Sequence, residues 1–178
     1  SHWIAIFLFF FMVIFLPWFS KTHLEVRHQN LIGNILITLV FINYPIWVIL
    51  EFIAGTFDFK LHLPLHLCRF ANLLLPIALF WKNDKIFQIL YFWGMSAIFQ
   101  AIFTPDIVHD FPHFHYFRYF IAHQLMVISI IYYVVVFKMK PTIHGLKNAF
   151  LALNIFLLVA FISNKFLGSN YFLSLIHI

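Results

Sequence analysis

The chain has 178 residues, of which 63% are hydrophobic and 10% charged, and its mean hydropathy is +0.94. Soluble domains are nearer half apolar and a quarter charged, so the composition excludes a water-soluble globule and implies a helical bundle in lipid. A net charge of +5 and a pI of 9.4 fit topogenic charge and anionic lipid. No Lys/Arg block interleaved with aromatics suggests nucleic acid as a partner. The single cysteine, Cys68, rules out an internal disulfide.

In chain order, six segments approach the roughly 20 apolar residues that a span needs. The first covers residues 2–20 and is rich in phenylalanine, as in Phe9-Phe10-Phe11, with no polar face. It has no basic leader and no small-residue cleavage site, so it is read as a true span. The polar stretch from Lys21 to Asn30 ends it. The second covers 31–54, with a kink expected at Pro45. The third covers 65–81, and Lys82-Asn83-Asp84-Lys85 is a short turn. The fourth covers 86–103, followed by a loop through Thr104-Pro105-Asp106. The fifth covers 114–137 and stops at Lys138-Met139-Lys140-Pro141. The sixth covers 144–167, before Gly168-Ser169-Asn170. The expected fold is therefore all-α, a polytopic membrane bundle of about six transmembrane helices, in one domain over 1–178. Ser1 in place of Met and the abrupt end read as a fragment at both ends, with the last six residues as a truncated or foreign tail.

Seven of the eleven Lys and Arg residues (Lys21, Arg27, Lys82, Lys85, Lys138, Lys140 and Lys147) fall after the first, third and fifth spans. The positive-inside rule places these connections in the cytoplasm and both chain ends outside, for a multi-pass protein of the cell membrane.

On this topology the polar residues gather in the outer half of the bilayer. Glu51 closes the second span. His62, His66, Cys68 and Arg69 open the third, with Pro64 in its first turn. Gln100, Thr104 and Asp106 close the fourth; His109, His113, His115 and Arg118 open the fifth; Asn164 and Asn170 close the sixth. Ionisable residues inside spans are costly and face a bundle interior or a wet cavity. His123 is the sharpest case, eight residues into the fifth span, or about 12 Å at 1.5 Å per residue. His115, Tyr119 and His123 recur every four residues and form one stripe; Gln100 with Thr104, and Asn43 with Trp47 and Glu51, form others. Cys68 lies about 200° round from His66 and does not share its face. The structural alternatives are headgroup hydrogen bonding for the histidines, helix packing for Cys68 and interhelical hydrogen bonding for Asn43, Asn154 and Asn164. Trp47, Trp81 and Trp93 read as packing or interfacial belt residues. The histidines from His109 to His115 are of metal-ligand type, but Pro112 breaks the helical spacing and no CxxC or HExxH accompanies them. No metal or other cofactor is expected.

Leu63-Pro-Leu-His-Leu-Cys68, Tyr91-Phe-Trp-Gly94, Gln100-Ala101, Thr104-Pro-Asp106, Phe111-Pro-His113, Ala122-His123 and Gly168-Ser-Asn-Tyr171 occur in this order. In that order the chain resembles YwaF-like bacterial integral membrane proteins from Ser1 to Tyr171. That family is distantly similar to a vertebrate transmembrane enzyme that moves acyl chains onto ether lysophospholipids, and more distantly to membrane hydrolases of fatty-acid esters. The resemblance implies acyl chemistry on a membrane lipid, with His66 and His123 as the matching histidines. The acyl-accepting cysteine proposed for the vertebrate enzyme stands where this chain has Leu65, which argues against a covalent thioester route.

Acyl transfer needs a base near neutral pH, a nucleophile and oxyanion donors. The expected arrangement has His123 as base and His66 as its partner or oxyanion donor, acting directly on an acceptor hydroxyl. Gln100, Thr104 and Asn170 would orient groups, Asp106 would fix a histidine tautomer, and Cys68 or Thr104 would be the nucleophile of a covalent variant. The rival readings are a transporter or small-molecule-binding bundle and a structural membrane protein. A side-open chamber with two facing histidines favours lipid chemistry, a pore crossing to the cytoplasmic side favours transport, and a packed interior favours the structural reading. No inverted repeat of the kind transporters use is visible.

Overall fold

The computed structural model describes residues 2–105, 107 and 111–171. The described residues form helices: α1 (His2–His23), α2 (Val26–Ile53), α3 (Phe59–His62), α4 (Leu67–Phe80), α5 (Asp84–Trp93), α6 (Phe99–Phe103), α7 (Phe114–Val135) and α8 (Ile143–Leu167). A π-helical turn over Gly94–Ile98 joins α5 to α6 in one span. Five helical segments are long and apolar enough to cross a bilayer: Trp3–His23, Val26–Ile53, Asp84–Phe103, Phe114–Val135 and Ile143–Leu167. The expected third span shortens to α4, of 14 residues. It covers about 21 Å at 1.5 Å per residue, less than the hydrocarbon thickness.

That shortening has a local cause. Pro64 does not sit in the first turn, as the sequence suggested. Leu63 is extended at φ −68° and ψ 155°, and His66 is the N-cap at φ −90° and ψ 141°. The backbone before a proline avoids the helical region, so Leu63-Pro64-Leu65 is a break, and the preceding residues form the one-turn helix α3, capped by the Asp58 side chain. Conversely, the polar stretch 21–30 is no loop. Helix α1 continues to His23 and α2 begins at Val26. The Gln29 amide donates to the carbonyls of Ser20 (3.1 Å) and Leu24 (2.9 Å), closing the end of α1. Ser20, fully buried, shares a 2.6 Å hydrogen bond with the Tyr132 hydroxyl, which also donates to the Gln29 carbonyl. This lysine-rich end thus holds a buried polar lock besides its loop lysines.

Helix α7 is the central element: 56% of its apolar window is buried, against 17–33% for the other spans. It packs against α1 and α2; α2 packs on α4, and α5 on α8. Side-chain hydrogen bonds to backbone carbonyls join these pairs, Gln124 to Ala5 (3.0 Å) across α7 and α1, and Trp93 to Ala149 (3.1 Å) across α5 and α8. The outward faces of α1 and α8 are apolar and exposed, including Trp3, Phe7, Phe150 and Phe166, as a lipid-facing surface requires.

Candidate functional site

A cavity of about 860 Å³ opens among α2, the segment around α3, α4, the π turn, α6 and α7, at the end of the bundle opposite the Ser20–Tyr132 lock. Its size is that of a small-molecule site. His66, Cys68 and His123 all line it, as do Asn43, Trp47 and Glu51 of α2 and His115 and Tyr119 of α7. The two stripes read from helical spacing therefore meet in one chamber. The π turn contributes Ala97 and Ile98; π turns recur at functional sites because they redirect side chains without ending the helix.

His123 is 6% exposed. Its Nδ1 lies 2.8 Å from the Tyr119 carbonyl oxygen. A carbonyl only accepts, so Nδ1 carries the proton and Nε2 keeps its lone pair. The Tyr119 ring stacks on the imidazole with centroids 4.1 Å apart, and its hydroxyl donates to the Ala101 carbonyl at 3.0 Å. One tyrosine thereby fixes the histidine ring and ties α7 to α6.

His66 is held from the opposite side. Tyr171, fully buried, meets its ring edge-on at 5.3 Å. The Tyr171 hydroxyl accepts from the Leu63 N–H at 3.1 Å and donates to the Phe59 carbonyl. Burial raises the pKa of this phenol, so it stays a donor. Tyr171 reaches this place because Gly168 ends α8 in the left-handed conformation (φ 60°, ψ 38°), which glycine adopts without strain. Asn164 then clasps the returning chain. Its amide donates to the Tyr171 carbonyl (2.8 Å), and its carbonyl oxygen accepts from the Tyr171 N–H (2.7 Å) and the Ser169 hydroxyl (2.8 Å). These three bonds tie Asn164 to the turn that follows its own helix.

The other expected site residues are placed differently. Gln100 and Thr104 hydrogen-bond to each other at 3.4 Å, are exposed, and do not line the cavity. Asn170 is half-buried in the turn after α8 and is not a lining residue. Asp106, His109, Asp110 and the tail from Leu173 to Ile178 lie outside the described residues. Neither α1 nor α8 contributes to the lining, so the polar site is built by fewer elements than the topology suggested.

A charged group around Trp47 completes the wall. Trp47 is not a belt residue: it is buried at 4% exposure. Arg69 Cζ lies 4.6 Å and Arg118 Cζ 4.1 Å from its ring centroid. Its indole N–H donates to Glu51 at 2.7 Å. Glu51 also accepts from the Thr56 hydroxyl at 2.5 Å and lies 3.9 Å from both His62 and His115. Glu51, Arg69 and Arg118 were legible as polar residues near this end of the bundle; their convergence on one indole was not.

Fold and site together define a polytopic helical membrane protein with a histidine-lined chamber at one end. The chain belongs to the TMEM164 family, which it matches over residues 1–175. Neither the curated proteins nor the solved structures contain a match to it.

Proposed function

We propose that this protein is a membrane-embedded acyltransferase or ester hydrolase acting on lipids, with His66 and His123 as its catalytic residues. The observation that carries the reading is the convergence of both histidines on one 860 Å³ cavity inside an otherwise apolar bundle. His123 Nε2, left basic by the Nδ1–H bond to Tyr119, takes the proton of the acceptor hydroxyl. The acceptor oxygen bonds to the ester carbonyl carbon, and the resulting oxyanion is held by an N–H of His66. Collapse breaks the bond to the donor's alcohol oxygen, which recovers the proton from His123. Water as acceptor gives hydrolysis by the same steps. Cys68, though in the wall, carries no acyl group in this route, in keeping with Leu65 at the position of the vertebrate enzyme's proposed nucleophile.

The resemblance to YwaF-like proteins supports a bacterial branch of the family, and the lysine distribution supports a cell-membrane protein whose site lies in the outer half of the bilayer. Membrane lipid is then both environment and substrate. Lipid profiling of cells expressing the chain tests the reading: redistribution of acyl chains among lipids is expected with the wild type and absent with His66→Ala or His123→Ala at equal expression. Identical profiles for wild type and empty vector would overturn it.

A further inference from the structure

We infer that Arg69 and Arg118 form, beside the histidines, a subsite for a phosphate group. The inference rests on the lipid reading above, and names the headgroup chemistry that the chamber selects. Both guanidiniums lie over one buried indole, so the two like charges sit within about 9 Å of each other, inside one screening length. Neither makes a close ion pair with a carboxylate among the described residues. Glu51, the carboxylate in the wall, is committed to the Trp47 N–H and the Thr56 hydroxyl and flanked by His62 and His115. Among the described lining residues, two arginines stand against one carboxylate.

The remaining donors fit an oxyanion. Arg69 spends one N–H on the Leu61 carbonyl, which anchors the side chain and leaves four N–H groups. Arg118 Nε is buried and has no hydrogen-bond partner among the described residues. Asn72, 2% exposed and three residues after Arg69 on the same face of α4, has a side-chain oxygen with no partner among the described residues and also lines the cavity. Two guanidiniums offer planar forks that match phosphate oxygens, and the Asn72 oxygen can accept from a neighbouring hydroxyl of the same ligand. Apolar Ile98, Ala122 and Met126 line the same chamber, which suits the hydrocarbon attached to such a headgroup.

The test is equilibrium binding to the purified full chain in a neutral maltoside, without turnover. The probes are radiolabelled lysophosphatidylglycerol and monoacylglycerol with the same acyl chain. The phospholipid should bind at least tenfold tighter. Arg69→Gln and Arg118→Gln should each remove tenfold or more of that affinity and leave monoacylglycerol binding unchanged. Arg118→Lys keeps the charge if the glutamine variant fails to fold, and should recover part of the preference. His66→Ala and His123→Ala should retain it, so a failed catalytic reading would leave this result standing. Inorganic phosphate distinguishes the sources: competition at millimolar concentration assigns the subsite to free phosphate, and none assigns it to the lipid headgroup. Equal binding of the two lipids, or a preference unchanged in folded arginine variants, would overturn the inference.

Discussion

At the scale of the residue, His123 is the most constrained group in the chamber. The Tyr119 carbonyl fixes its tautomer and the Tyr119 ring fixes its plane. On the proposed route, in which it is the general base, its replacement by alanine should lower acyl transfer by roughly 10²- to 10⁴-fold, read as initial rate at equal protein. Cys68→Ser discriminates the routes. Direct transfer predicts a rate within about threefold of wild type, whereas a thioester route predicts a loss of the size that removal of a catalytic group produces. His66, Cys68 and His123 were legible in the sequence because an ionisable or polar side chain in an apolar run has few places to go. Trp47 was not, since helical spacing shows that Asn43, Trp47 and Glu51 share a face but not that arginines from two other helices close over it.

At the scale of the element, the wall depends on short-range backbone devices. Asn164 makes three hydrogen bonds to the turn that delivers Tyr171 to His66. Asn164→Ala strands the buried Tyr171 N–H, and an unmade buried hydrogen bond costs about 1–3 kcal/mol. The expected result is a lower melting temperature together with a reduced rate, because the segment that carries His66 loses its support. Gly145 sits where α8 meets α5. A Cβ there would lie 2.2 Å from Gln88 Oε1 and 2.7 Å from its Cβ, so Gly145→Ala should destabilise the α5–α8 pair by about 1–3 kcal/mol, with little effect on the chamber at the other end. The long spans were legible from hydropathy, since lipid imposes uninterrupted apolar helices. The breaks were less so. Lys21 to Asn30 looked like a loop by polarity, yet the Gln29 amide donates to the Ser20 and Leu24 carbonyls, which lets two helices meet with almost no connection. The π turn left no sequence signal beyond Gly94, which packs against Ile130.

At the scale of the whole molecule, the two ends of the bundle differ in kind. One holds the chamber with its arginines and histidines; the other holds the Ser20–Tyr132–Gln29 lock and the loop lysines. Charge bias predicts that the lysine end is cytoplasmic. In a Cys68→Ser background, a cysteine placed at Lys138 should react with an impermeant maleimide only after cells are opened, and one at Asp58 in intact cells; the reverse pattern would invert the orientation. The most direct test of the two-histidine reaction is acyl transfer by the purified chain in liposomes, followed by mass spectrometry with an isotopically labelled acyl donor lipid and an unlabelled lysophospholipid acceptor. Labelled acyl chains should appear on the acceptor, or labelled free fatty acid if water is the acceptor, with both products lost in His66→Ala and His123→Ala proteins that fold normally. Product formation unchanged in those variants would contradict it.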